Sequence, residues 1–278
     1  MPKYITKLFI LFGICGFWIG TSAASIFKPP NNLGLVGYWS FNEGSGTVAT
    51  DFSGNRNNGT LQNMESTDWV SGKREEALNF DGTDEYVDTG NAVITNYPHT
   101  IAAWVKTSST NEEEVLSIAD TSTANNLFGL GINPGDYFVY YFRGSGNQWI
   151  TAGNPSTDTW YHMVGVSTSA TEHELFVNGV SIGNSTTSAS PSSLDNTSIG
   201  AFLDSTPGYG SVLIDEVRIY NRVLSPSEVA ALYNSGSIRV STPNNLGLVG
   251  YWSFNEGRGT VVEDFSGNGN RGIIVGTP

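Results

Sequence analysis

Residues 159–183 read TWYHMVGVSTSATEHELFVNGVSIG. Aromatic and β-branched residues fill Thr159 to Ser167 and again His173 to Val177, which is the composition of strands. Between HELFV and VSIG stand Asn178 and Gly179. A two-residue hairpin turn needs φ > 0 at both central positions, and Asn-Gly supplies this with least strain. The segment therefore predicts antiparallel strands joined by a tight turn, and the same punctuation continues in both directions. Leu35 to Phe41, Ala77 to Phe80, Thr100 to Thr107, Asn126 to Ile132, Asp136 to Phe142 and Val212 to Tyr220 are short, aromatic or β-branched, and bounded by Gly, Asn, Asp or Pro. A single helix is predicted after them. Ser225 provides a capping oxygen, Pro226 the first helical position and Glu228 the reciprocal acceptor; Val229, Leu232 and Tyr233 form an apolar stripe, and Gly236 ends it. Many strands and one terminal helix predict an all-β fold, a β-sandwich capped by one short C-terminal helix.

The bulk composition agrees with turn-rich β structure: 33 glycines, 12% aromatic residues and only 14% charged ones. The formal net charge is −13, which repels phosphate backbones and anionic lipid, so nucleic acid and membrane surfaces are poor partners. Residues 1–24 read as a secretory signal peptide, with Lys3 and Lys7 before the apolar run Leu8 to Gly20 and small residues up to Ala24. A membrane anchor is the rival reading, but a span needs about 20 apolar residues. The expected location is thus secreted or cell surface, with no membrane insertion after cleavage. The one cysteine, Cys15, would leave with the signal, so the mature chain has no disulfide and must rely on its core.

Pro30 to Leu61 recurs at Pro243 to Ile274 with 25 of 32 positions identical and an offset of 213 residues. A period this long is a whole domain. The expected organisation is a domain at 31–237, a linker at 238–242, and the truncated start of a second copy at 243–278, with the neighbouring tandem copy as a partner.

Six segments in order, GYWSFNEGSGT, DFSGNRNNG, ALNFDGTDEYVD, TIAAWVKT, TWYHMVGVSTSATEHELFVNG and IDEVRIYNRVLSPSEVAALYNSG, resemble the laminin-G-like, concanavalin-A-like jelly-roll family. That resemblance implies a two-sheet antiparallel jelly-roll sandwich with one short C-terminal helix, and chiefly binding modules, many of which hold calcium, with glycan or protein ligands. It places Asp51, Asn57 and Asp215 at positions similar to the family's calcium-associated motif, with Ser53, Asn55 and Glu216 as weaker candidates. From the residues themselves, Asp51 to Gly59 carries oxygen donors at alternate positions, and calcium takes six to eight oxygens. A bare Asx-rich turn bonding its own backbone is the other reading.

Trp39, Trp104 and Trp160 sit inside strand patterns and read as core. The segment 136–142 is aromatic on both faces, so one face is a candidate ligand platform: Tyr140 and Phe142 with Arg143 and Trp149, Tyr137 beside them, and Gln148 near the turn. Packing between sheets is the alternative.

Catalytic patterns are thin. Gly179-Val-Ser181-Ile-Gly183 matches a nucleophile elbow, but it lies in a hairpin strand, and all three histidines (His99, His162, His173) precede it. Glu112 to Glu114 reads as a solvated loop, and adjacent Asp215 and Glu216 should point to opposite faces of a strand, so no glycosidase pair is evident. His173 lacks a second histidine at zinc-ligand spacing, and His162 reads as a strand residue satisfied by hydrogen bonding. These readings predict an exported, non-enzymatic module with structural calcium that recognises carbohydrate or another extracellular ligand. A structural or adhesion spacer contacting proteins stands second, and a jelly-roll glycoside hydrolase third.

Overall fold

A computed structural model describes residues 34–108, 113–133, 135, 137–144, 146, 148–234, 261–262 and 272–275. The expected signal peptide (1–24), the expected linker (238–242) and most of the expected second copy (243–278) lie outside these residues. Among the described residues, no helix is long and apolar enough to cross a membrane.

Two antiparallel sheets carry the fold. The first runs in the order Val180–Ser185, Glu172–Val177, Tyr161–Ser169, His99–Thr107, Val212–Tyr220, Glu76–Asn79 and Trp69–Ser71, with Leu35–Trp39 also paired to Val212–Tyr220. The second runs Trp149–Ala152, Tyr137–Gly144, Asn126–Asn133, Glu113–Ala119, Asn196–Ile199, Tyr86–Asp88, Gly59–Gln62 and Val48–Ala49. The expected hairpin is present: Asn178 and Gly179 have φ of 50° and 80° and join two strands of the first sheet. The expected helix spans Pro226–Asn234, with Ser225 N–H donating to Glu228 Oε2 (2.8 Å) and Glu228 N–H returning to Ser225 Oγ (3.3 Å). Its Val229 and Leu232 pack on the outer side of the first sheet with Tyr38, Val164, Val166, Phe176 and Tyr220.

Within the repeated sequence, Val261 pairs with Ile273 and Val262 with Gly272. These positions lie 213 residues beyond Val48, Thr60, Ala49 and Gly59, which pair in the same register.

The sheets enclose one main core that includes Trp39, Phe41, Phe80, Ile101, Phe128, Tyr140, Phe142, Met163 and Ile219. A polar chain runs through it. His99 Nε2 lies 2.9 Å from Tyr140 Oη, Tyr140 Oη 2.6 Å from Ser167 Oγ, and Ser167 Oγ 2.7 Å from His173 Nδ1. Tyr140 stands on the second sheet and the other three on the first, so the chain bonds the two sheets through an otherwise apolar interior. His99 also donates from Nδ1 to Asn96 O at 3.1 Å, which makes its Nε2 the acceptor. Beside it, Gly165 leaves room for the Tyr140 ring: a Cβ there would lie 2.4 Å from Tyr140 Cδ2.

Burial lowers the His99 pKa to about 3, outweighing the rise from its bond to Asn96. A histidine whose folded pKa is depressed contributes stability above its unfolded value, about 6.5, and loses it as pH falls. Thermal unfolding followed between pH 7 and 4 is expected to show a shallower loss of Tm in His99→Gln than in wild type. Equal slopes would remove His99 from the acid sensitivity of the fold.

Candidate functional site

The Asp51 turn is organised around one carboxylate. Asp51 Oδ1 accepts the backbone N–H groups of Tyr38 (2.9 Å) and Ser53 (2.8 Å). Oδ2 accepts Ser53 Oγ–H (2.8 Å) and Asn57 N–H (2.9 Å). Asn57 Nδ2 donates to Val36 O at 2.8 Å, and Asn55 Nδ2 donates to Ser53 Oγ at 3.0 Å. Trp39 Nε1 donates to Asn57 O at 2.9 Å, which ties the turn to a core tryptophan. A carboxylate offers about four lone-pair sites, and hydrogens face all of them here. Asp51, Ser53, Asn55 and Asn57 thus come together, while Asp215 bonds elsewhere. As folded, the set does not fit calcium, which needs those same oxygen lone pairs.

Asp215 is fully buried in the bulged part of Val212–Tyr220. Its Oδ2 accepts Arg74 N–H at 2.8 Å, and its Oδ1 has no partner. Desolvation pushes its pKa up to about 8, against the bond from Arg74. Asp215 and Glu216 do not diverge as adjacent strand residues should. Glu216 has φ of 55°, the pairing register with His99–Thr107 slips between Asp215 and Arg218, and both acids meet Arg74. Glu216 accepts Arg218 Nη2 at 2.6 Å and Tyr38 Oη–H at 2.9 Å.

Two more expectations are corrected. Glu113 and Glu114 open a strand and are 1% and 8% exposed rather than solvated. Thr107 and the backbone N–H of Ser211 bond Glu113. His162 is fully buried, yet neither ring nitrogen has a partner, and desolvation lowers its pKa to about 3.

The aromatic segment resolves by strand period. Along Tyr137–Gly144 the even residues point inward: Tyr140 and Phe142 are fully buried, and Phe142 stacks on His173 at 3.8 Å. Those two residues are core, which corrects their placement on a ligand face. Tyr137, Tyr141 and Arg143 take the outer face, and Trp149 sits opposite Tyr141 on the edge strand. Trp149 is 38% and Tyr137 43% exposed. The Arg143 guanidinium lies 4.3 Å from the Tyr141 ring and 5.2 Å from Trp149. It is held there by Asn125, whose Oδ1 accepts Arg143 Nη1–H at 2.7 Å. Asn125 has φ of 56° and donates its backbone N–H to Asp204 Oδ2 at 2.7 Å. Arg143 Nε and Gln148 Oε1 are buried without hydrogen-bond partners among the described residues. Tyr141 itself is 1% exposed and packs against Phe202, so what the face presents is the Trp149 ring beside a fixed guanidinium. Tyr141 and Asn125 escaped the sequence reading. The period-2 phase would have found Tyr141, but Asn125 lies on another loop and left no local signal.

Two eight-stranded antiparallel sheets packed face to face, with one terminal helix, define a concanavalin A-like jelly roll. The chain belongs to the concanavalin A-like lectin/glucanases superfamily, whose sequence pattern matches residues 81–230. Among curated proteins no sequence matches. Trypanosoma rangeli sialidase superposes with a TM-score of 0.56 at 20% identity, covering 73% of this chain and 33% of the sialidase. Domain 4 of AbnA, a GH43 extracellular arabinanase from Geobacillus stearothermophilus, in complex with arabinotriose, gives 0.56 at 20% identity, covering 72% of this chain and 98% of that domain. The binding domain of Paraclostridial Mosquitocidal Protein 1 gives 0.58 at 16% identity, covering 74% and 53%. The chain thus spans about a third of the sialidase it matches. These likenesses establish the fold. The expectation that the chain is not an enzyme is corrected by them: a sialidase, and a domain of an arabinanase, share this architecture.

Removing the Asp51 carboxylate leaves buried N–H groups of Tyr38, Ser53 and Asn57 without an acceptor. Asp51→Ala is expected to cost about 3 kcal/mol in denaturant unfolding, since each such orphan costs roughly 1–3 kcal/mol. The loss should be the same in EDTA and in excess calcium. A loss confined to calcium-loaded protein would instead assign the turn to the metal. Arg143→Lys keeps the charge but not the planar fork, and should leave Tm unchanged while weakening any ligand held on this face.

Proposed function

We propose that this chain is an exported carbohydrate-recognition domain that holds sugar on the outer face of its second sheet, against Trp149 and Arg143. The observation that carries this is the exposed Trp149 beside a guanidinium fixed by Asn125. Sugars present C–H faces that pack on aromatic rings, and their hydroxyls need the few convergent polar groups such a face supplies. The apolar leader at Leu8 to Gly20 supports export. A repeated domain would add avidity with no new contact, because the second engagement is intramolecular. The arabinotriose complex of the arabinanase domain supports carbohydrate as the ligand class for this fold.

A panel of neutral and acidic oligosaccharides, screened against the full chain and confirmed by calorimetry, tests the reading. Wild type is expected to bind at least one member. Trp149→Ala should bind it at least tenfold more weakly, the range of a buried aromatic anchor, with an unchanged melting curve. Binding that survives Trp149→Ala, or a panel with no ligand at all, overturns the assignment and leaves protein contact as the use of this face.

A further inference from the structure

The outer side of the first sheet holds a second cavity, on the opposite face of the sandwich from Trp149. It has a volume of about 390 Å³ and is lined by Lys73, Arg74, Trp104, Tyr233 and Asn234. Trp104 comes from the strand His99–Thr107 and Tyr233 from the helix, and their rings stack at 5.6 Å. Lys73 and Arg74 sit on the turn between Trp69–Ser71 and Glu76–Asn79. The bond from Arg74 N–H to Asp215 Oδ2 pins that turn, and Lys73 Nζ rests 4.5 Å above the Trp104 ring.

Three features set this cavity apart from ordinary packing. Trp104 is 2% exposed, and its Nε1–H has no acceptor among the described residues. Arg74 Nε is likewise buried without a hydrogen-bond acceptor, at 3.7 Å from Glu216. His162, packed 5.2 Å from Trp104, has two unpartnered nitrogens. An indole N–H can only donate, and so can a guanidinium, so the unspent groups on the wall call for an acceptor. Buried polar atoms left unmatched are costly, and native structures hold few of them. The charge points the same way. Two cations, Lys73 and Arg74, line the cavity, and none of its described lining residues is acidic, in a chain of net charge −13. A dianion would be repelled by Glu216, whereas a monoanion would not meet the same penalty.

We propose that this cavity binds a carboxylate, received by Lys73 Nζ, Arg74 Nε–H and Trp104 Nε1–H. A free carboxylate and the carboxylate of an acidic sugar share this chemistry. The site is independent of the sugar face at Trp149, so either can fail without the other.

The test follows the Trp104 indole N–H resonance of the full chain, assigned through Trp104→Phe, during titration at constant ionic strength with acetate, glucuronate, glucose and sulfate. Acetate and glucuronate are expected to shift it saturably, and glucose is not. Glucuronate at least tenfold tighter than acetate identifies the sugar acid as the ligand, and equal affinities identify a free carboxylate. Lys73→Ala combined with Arg74→Gln should weaken binding at least tenfold, while Trp149→Ala leaves it unchanged. The proposal is overturned if no carboxylate shifts the resonance, if glucose shifts it as well, if sulfate binds as tightly as acetate, or if the double variant binds like wild type.

Discussion

Tyr140 stands on one sheet and makes its hydrogen bonds to the other, and much of the structure depends on that crossing. Its hydroxyl meets His99 and Ser167 in the middle of the core, where an unmatched phenol would cost free energy. Because strand side chains alternate, fixing Tyr140 inward fixes the phase of the whole strand. Phe138 and Phe142 follow it into the core, and Tyr141 and Arg143 are carried to the outer face. A slip of one residue would bury a guanidinium and expose three aromatic rings. The partner strand is adapted to the same choice, since Gly165 leaves the volume the ring occupies.

The outer face is shaped by small residues next to large ones. A Cβ at Gly131 would sit 3.2 Å from the Tyr141 ring, and one at Gly129 would lie 2.9 Å from Phe202. The two rings meet edge to face, 5.1 Å apart at an interplanar angle of 89°. Arg143 is then fixed from three directions: Tyr141 beneath, Trp149 to one side and Asn125 at its tip. A guanidinium held in this way loses little freedom when a ligand arrives, which is where preorganised sites gain affinity.

Much of the architecture was legible in the sequence because its signals are local. The Asn178-Gly179 turn, the Ser225–Glu228 capping box and the short aromatic strands depend on residues within a few positions of one another. The candidate sites were less legible because their partners are distant. The segment 137–143 is aromatic at both strand phases, so composition could not say which rings face inward. Only the contact of Tyr140 with His99 and Ser167 decides that. Alternating oxygens in the Asp51 turn look the same whether they surround a cation or a set of N–H groups. The acceptor role became visible only once Tyr38 N–H was placed against Asp51. The bulge that turns Asp215 and Glu216 to a common side breaks the alternation from which their divergence was inferred.

The two faces of the sandwich solve opposite problems for an acidic chain. On the second sheet a single cation lies between rings, where it can receive hydroxyl groups without attracting anions strongly. On the first sheet Lys73 rests over Trp104, while Glu216 pairs with both Arg74 and Arg218. Glu216 is committed to Arg218 and Tyr38, so it cannot fully satisfy Arg74. Burial makes the imbalance matter, because an unspent guanidinium N–H in solvent would simply find water. The same negative surface that turns away anions elsewhere would make Lys73 and Arg74 the place where one could be received.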